Sequence, residues 1–130
     1  MSFPIYSQVR ANPDGGPIRV QVEFPDTLLL CSYTIDVHDA EGNDSIQGFP
    51  RRGDNGNSEN GSYELPLPAA SNKHRTIWAF VKVIDQSGAG GKYCATMKII
   101  QDGLKIGMLT TGSKAIPANA IDVTLVAQLA

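Results

Sequence analysis

Oxygen-bearing side chains gather in two polar segments, and they are the residues best suited to hold a metal ion. The first segment places four of them within six positions: Asp39, Glu41, Asn43 and Asp44. The second segment contains Asp54, Asn55, Asn57, Glu59 and Asn60. Calcium takes about six to eight oxygen ligands from such loops, but Asp and Asn are also common in turns for backbone reasons. We therefore expect no obligatory cofactor, with calcium at Asp39, Glu41, Asn43 and Asp44 as the alternative.

Candidate catalytic side chains are sparse. The chain has two histidines, His38 and His74, and two cysteines, Cys31 and Cys94. On one strand Cys31 and His38 would point to opposite faces, which leaves His38 with Cys94 as the conceivable Cys–His pair. No Gly-x-Ser-x-Gly elbow, His-Glu-x-x-His motif or phosphate-binding glycine loop occurs. We therefore expect a protein that is not an enzyme, with both cysteines as free thiols in apolar strands.

The composition is that of a globular protein, and its charge does not indicate nucleic-acid binding. Hydrophobic residues make up 42% and charged residues 18% of the 130 positions, and the net charge is −2. A nucleic-acid-binding surface normally shows a basic cluster, and the short basic runs at 51–52 and 73–75 are typical of solvated loops. No signal-like segment opens the chain, and no stretch is long enough to span a bilayer. We expect a cytoplasmic protein that binds neither nucleic acid nor membrane, with a trimmed signal or another export route as the alternative.

The elements that must position these residues are β-strands. Apolar and polar residues alternate over 18–24, over 31–38 and again over 121–129, which is the period of a half-buried strand. Residues 76–85 also fit helical spacing, but their density of β-branched side chains favours a buried strand. Asp102-Gly103 is a tight hairpin signal. Turn residues recur often enough to predict about eight or nine strands and no substantial helix.

The segment 50–61 is predicted to be a long, exposed, polar loop. Apart from proline it has no apolar side chain, and it contains three glycines. It also contains the adhesion-type tripeptide Arg52-Gly53-Asp54, which we interpret as a chance match. Long ordered loops often carry binding function, so this loop is a candidate site.

The order Cys31, Trp78, Cys94, with Tyr93 beside the second cysteine, resembles the pattern of immunoglobulin-like and fibronectin-like modules. In antibody domains the tryptophan follows the first cysteine closely, whereas Trp78 lies much nearer to Cys94, so the resemblance is one of architecture. The length of 130 residues matches a single domain over residues 1–130. The strand and turn pattern predicts that it folds as a two-sheet antiparallel β-sandwich of the immunoglobulin-like or jelly-roll-like kind. Architecture alone does not carry function.

We therefore expect one of two functions, of which the first is preferred. The first is a non-catalytic module that acts in protein binding, including self-association, or as a structural subunit. The alternative is a lectin-like module that binds carbohydrate through Asp39, Asp54, Asn57 and Tyr63, with or without calcium. Trp78 lies in the most hydrophobic run and is expected in the core, which leaves tyrosines as the stacking platforms.

Overall fold

The strands dominate the structure, a computed structural model that describes residues 4–41, 44–56 and 61–130. Eleven strands occur in this part of the chain: β1 (Ile5–Val9), β2 (Ile18–Glu23), β3 (Leu30–His38), β4 (Arg51–Asp54), β5 (Gly61–Glu64), β6 (Thr76–Ile84), β7 (Lys92–Tyr93), β8 (Thr96–Gln101), β9 (Leu104–Thr110), β10 (Lys114–Ala115) and β11 (Ala120–Leu129). A 3₁₀ helix spans Ala69–Asn72. No helix among these residues is long and apolar enough to cross a membrane.

Two sheets pack against each other, which confirms the predicted all-β sandwich. The five-stranded sheet has the order β1-β11-β6-β3-β4, and the four-stranded sheet has the order β5-β2-β8-β9. Strands β7 and β10 form a separate two-stranded ladder. The count exceeds the expected eight or nine because β4, β7 and β10 are too short to show alternation. Strand β1 pairs with β11 in parallel. These two strands come from opposite ends of the chain, so they are not joined by a hairpin.

The core lies between the sheets and consists of the alternate residues that the sequence pattern indicates. In the five-stranded sheet, Ile35 and Leu125 are fully buried, and Ile18 and Ile99 are fully buried in the facing sheet. Fully burying a side chain of this size contributes roughly 1.5–3 kcal/mol relative to leaving it exposed. Because successive side chains of a strand point to opposite sides of the sheet, the residues that alternate with these core residues lie on the outer faces of the sandwich.

Strand β4 lies inside the segment that the sequence predicts to be a loop. Residues 51–54 pair in antiparallel register with residues 35–32 of β3, and β5 begins at Gly61. Residues 57–60 lie outside the described part of the chain. Alternation misses β4 because this edge strand buries no apolar side chain. Its position depends instead on backbone pairing and on Gly53, where a Cβ would overlap the Tyr33 hydroxyl.

Trp78 and the cysteines also differ from an antibody domain. Ile77 and Ala79 face the core, so Trp78 lies on the outer face and is half-buried, contrary to the expected core position. Cys31 is buried and Cys94 half-buried, and both thiols are free. Burial raises the pKa of the Cys31 thiol to about 11. A buried tryptophan packed on a disulfide, the antibody-domain feature, is therefore not formed by these residues.

Candidate binding site

The outer face of the five-stranded sheet carries a row of rings on β6 and β3. Phe80 is 41% exposed, and its ring stacks on Trp78 with centroids 5.6 Å apart and planes inclined by 12°. Trp78 also packs against His38, with ring centroids 5.4 Å apart. Val126 lies opposite Trp78 on β11 and is only 5% exposed, so this outer face has an apolar patch of its own. Such a patch on a solvent-facing sheet marks a candidate binding surface.

Side chains from four neighbouring strands form two rows at this patch. From β11 to β4, the first row is Thr124, Phe80, Thr34 and Arg52. The second row is Asp122, Lys82, Ser32 and Asp54. Neighbouring strands lie about 5 Å apart, so each row spans about 15 Å.

An open groove with a volume of about 540 Å³ runs along the two rows. It is lined by the residues of both rows except Asp54, together with the intervening residues Tyr33, Gly53, Val81 and Val123. Phe80 lines the groove, whereas Trp78, on which the Phe80 ring stacks, does not. Among the lining residues that belong to the two rows, each side chain except that of Phe80 carries a hydrogen-bonding group.

Ser45, Asp36 and His38 make the nearest approach to a catalytic triad in the described part of the chain. His38 Nε2 lies 3.0 Å from Asp36 Oδ2, and Ser45 Oγ donates to the same oxygen at 2.9 Å. Serine catalysis requires the imidazole between the hydroxyl and the carboxylate, where it can take the serine proton. Here the carboxylate lies in the middle, so it orients His38 against Trp78 and does not make Ser45 a nucleophile.

Three of the residues predicted to bind calcium, Asp39, Glu41 and Asp44, lie just beyond the end of β3. Asp39 Oδ1 is 3.9 Å from Arg75 Nε, while Glu41 and Asp44 are exposed. Asn43 lies outside the described residues. Within the described ranges, no three His, Cys, Asp or Glu side chains come close enough to hold a metal ion. Calcium binding stays a prediction from the sequence.

Of the residues predicted to bind carbohydrate, the three that the structure describes do not come together. Asp54 pairs near the opposite end of β3 from Asp39, about 23 Å along the strand. Tyr63 belongs to the other sheet, and its hydroxyl lies 2.8 Å from the Tyr33 hydroxyl. Asn57 is among the residues that the structure does not describe. Of this set, Asp54 adjoins the groove, at the end of the second row.

The contact between Tyr33 and Tyr63 joins the two sheets behind the groove. Gly53 and Gly61 flank the Tyr33 hydroxyl so closely that a Cβ on either would overlap it. Burial, and then the hydrogen bond with Tyr63, raises the pKa of Tyr33 well above its ordinary value. The neutral phenol therefore supports β4, the strand that carries Arg52 into the groove.

Phe80 and Trp78 are the candidate binding residues that sequence reasoning missed. Both lie in a run hydrophobic enough to suggest a fully buried strand. The signal that identifies them is their spacing along β6. Trp78 and Phe80 occupy the same alternate positions of the strand as the polar residues Thr76 and Lys82. A strand with polar residues at alternate positions turns those positions outward, and the two aromatic residues with them.

Known proteins provide no further guide to this groove. Comparisons with models of protein families, with curated proteins and with solved structures found no match. The groove and its side chains are therefore the basis for assigning a function.

Proposed function

We propose that this chain is a non-catalytic binding module and that the outer face of the five-stranded sheet is its binding surface. The observation that carries the proposal is the exposed Phe80 ring, stacked on Trp78 at the wall of the groove. Removing apolar surface from water is favourable by about 25 cal/mol per Å², so a ligand that covers this ring gains affinity from it. Aromatic residues are also over-represented where binding energy concentrates.

The groove favours binding over hydrolysis. Glycosidases normally use two carboxyl groups about 5–10 Å apart on either side of the bond that breaks. Asp122 and Asp54 occupy the two ends of the second row, and their backbones lie about 15 Å apart. Among the described residues, no histidine or cysteine lines the groove. These features support a ligand that is held unchanged.

Two finer features belong to the same proposal and depend on the sequence alone. One is the immunoglobulin-like architecture, and the other is the cytoplasmic location. Calcium at the site predicted from Asp39, Glu41, Asn43 and Asp44 would be bound by Asp39 beyond the end of β3, far along that strand from the groove. We therefore expect a chelator to leave binding at the groove unchanged. Protein partners, self-association and carbohydrate are the ligand classes that the experiment must separate.

The experiment compares Phe80→Ser with a matched control, Met108→Ser. Phe80 is 41% and Met108 46% exposed, and they lie on the outer faces of different sheets. Sedimentation equilibrium measures self-association, a saccharide array measures carbohydrate binding, and affinity capture from a lysate of the source cells measures protein binding. We expect the wild type to bind in at least one assay, Phe80→Ser to lose that binding and Met108→Ser to keep it. A wild type that is inert in all three, or binding that survives Phe80→Ser, would contradict the proposal.

A further inference from the structure

A second pocket lies at the end of the sandwich where β2 begins and β11 ends. It has a volume of about 340 Å³. Its lining includes one fully buried core residue from each sheet, Ile18 of β2 and Leu129 of β11. The pocket therefore lies at one end of the space between the sheets. Among the described residues, none lines both this pocket and the groove beside Phe80.

The wall of this pocket is mainly apolar and is fixed by hydrogen bonds within the protein. Asn72, the last residue of the 3₁₀ helix, lines the pocket and is only 1% exposed. Its Nδ2 donates to the Pro66 carbonyl oxygen at 2.9 Å, and its Oδ1 accepts from Arg75 Nη1 at 2.7 Å. A ligand that covers the apolar part of the wall gains affinity by removing that surface from water. Besides the two core residues, this apolar part includes Ala11, Pro13, Ala69 and Ala70.

The charge of the lining is positive. Among the described residues, the ionisable side chains that line the pocket are those of Arg10 and Lys73, and both are basic. Both residues are exposed, and neither forms an ion pair within residues 4–41, 44–56 and 61–130. A carboxylate at Ala130, the last residue of the sequence, would still leave this lining with a net positive charge. The lining therefore favours a ligand that carries negative charge.

One peptide group at the end of β11 holds the two basic residues on either side of it. The N–H of Ala130 donates at 2.9 Å to the residue before Arg10, and the carbonyl oxygen of Leu129 accepts at 2.7 Å from the residue after Lys73. Backbone segments paired in this way lie about 5 Å apart, so the backbones at Arg10 and Lys73 are about 10 Å apart. Two long side chains can reach a single acidic group across that separation.

We infer that this pocket binds an amphipathic organic anion, which is a compact apolar body that carries one acidic group. The apolar body packs against the alanines and Pro13, and the acidic group lies at the exposed side of the pocket, between Arg10 and Lys73. Charge-assisted hydrogen bonds from guanidinium and ammonium groups are stronger than neutral ones. A carboxylate and a phosphate both accept such bonds, so the experiment includes both. This second site goes beyond the proposed function, which concerns the groove.

NMR titration of the whole, untagged chain tests the inference, because shifts of backbone amides also show where a probe binds. The probes share an eight-carbon chain and differ in their end group: octanoate, octyl phosphate, octan-1-ol and octylammonium. We expect at least one of the two anions to shift the amides of residues 10–12 and 69–73. That anion should bind about tenfold more tightly than octan-1-ol, and octylammonium should not bind.

Two variants separate the role of charge from that of the apolar wall. The double variant Arg10→Gln/Lys73→Gln should weaken binding of the anion about tenfold and leave that of octan-1-ol unchanged. Ala70→Leu places a larger side chain in the wall, so it should weaken both about fivefold. The control is Lys114→Gln, which removes one positive charge from an exposed position on β10 and should change neither.

Several outcomes would overturn the inference. These are octan-1-ol binding as tight as that of the anions, anion binding that survives in the double variant, failure of both anions to bind, and shifts that map to the groove around Phe80. None of them contradicts the proposed function, which is tested by the loss of binding in Phe80→Ser. Circular dichroism checks that each variant folds. The double variant changes only exposed side chains, and it carries the test if Ala70→Leu does not fold.

Discussion

The two sheets turn different outer faces to the solvent. On the four-stranded sheet, Arg19 pairs with Glu64 at 2.6 Å and Lys98 pairs with Glu23 at 2.9 Å. On the five-stranded sheet, the outward positions of β6 hold a stacked aromatic pair beside the groove. Both faces follow the same alternation, so the difference lies entirely in which side chains occupy the outward positions.

This difference separates an ion-paired face from the face that we propose to be the binding surface. Exposed ion pairs contribute about 0–1 kcal/mol each, because solvent screens them and ordering two long side chains costs entropy. They keep a sheet face hydrated without creating a ligand site. Exposed aromatic rings leave apolar area in water, and a ligand that covers them recovers that free energy. The contrast predicts that mutations on the two outer faces, and at the contact between the sheets, change the free energy of unfolding by different amounts.

The largest effect is expected where the sheets are joined. Gly61→Ala should lower the free energy of unfolding by about 1–3 kcal/mol, because the new Cβ overlaps the Tyr33 hydroxyl and displaces its bond with Tyr63. Urea denaturation measures the change. The control is Gly56→Ala, where the nearest atom is 3.4 Å from the new Cβ. Equal stability of the two variants would show that this contact does not join the sheets.

A smaller effect should distinguish the two outer faces directly. Trp78→Ala should cost about 1–2 kcal/mol, because it removes a half-buried ring packed on both Phe80 and His38. Lys98→Ala should cost less than about 1 kcal/mol, since it breaks a partly exposed pair with Glu23.

The salt dependence of the two stability changes distinguishes the two faces further. In about 1 M NaCl the screening length falls to about 3 Å, so the Lys98→Ala effect should disappear and the Trp78→Ala effect should persist. Denaturation curves at low and high salt measure both changes. A Lys98 effect larger than that of Trp78, or a Trp78 effect that salt abolishes, would reverse our ranking of the two faces.

The last prediction concerns the inward side of β3 and is measured as a rate of thiol modification. Burial raises the pKa of Cys31 from 9.0 to about 11, so its neutral thiol contributes stability that is fully present below pH 9 and lost as pH rises through about 11. At pH 8 we expect a disulfide reagent to modify half-buried Cys94 in the native protein and Cys31 only after unfolding. Cys94→Ala isolates the slow thiol, and rapid modification of that variant would show that the core side of β3 is open.

Much of the fold follows from local patterns. The alternation over 18–24, 31–38 and 121–129 corresponds to β2, β3 and β11, because a strand that buries one face must repeat every second residue. The Asp102-Gly103 hairpin also follows from local chemistry. Their φ angles are 53° and 75°, and both positions of such a turn require the left-handed region.

The edges of the sheets do not follow from those patterns. Strand β4 buries no apolar row, and its pairing with β3 depends on Gly53 packing on Tyr33. The parallel strand β1 meets β11 from the other end of the chain. Trp78 was misassigned because hydrophobicity alone does not show on which side of a strand a residue lies.

The sequence by itself determined that the chain forms strands and which residues of most strands share a face, because both depend on interactions between near neighbours. Only the tertiary structure decided which strands lie side by side. Asp122, Lys82, Thr34 and Arg52 come from four separate strands, and the pairing of those strands brings them to one groove. Strand order results from packing two whole sheets around a common core, a long-range balance of burial and backbone pairing that no local pattern records.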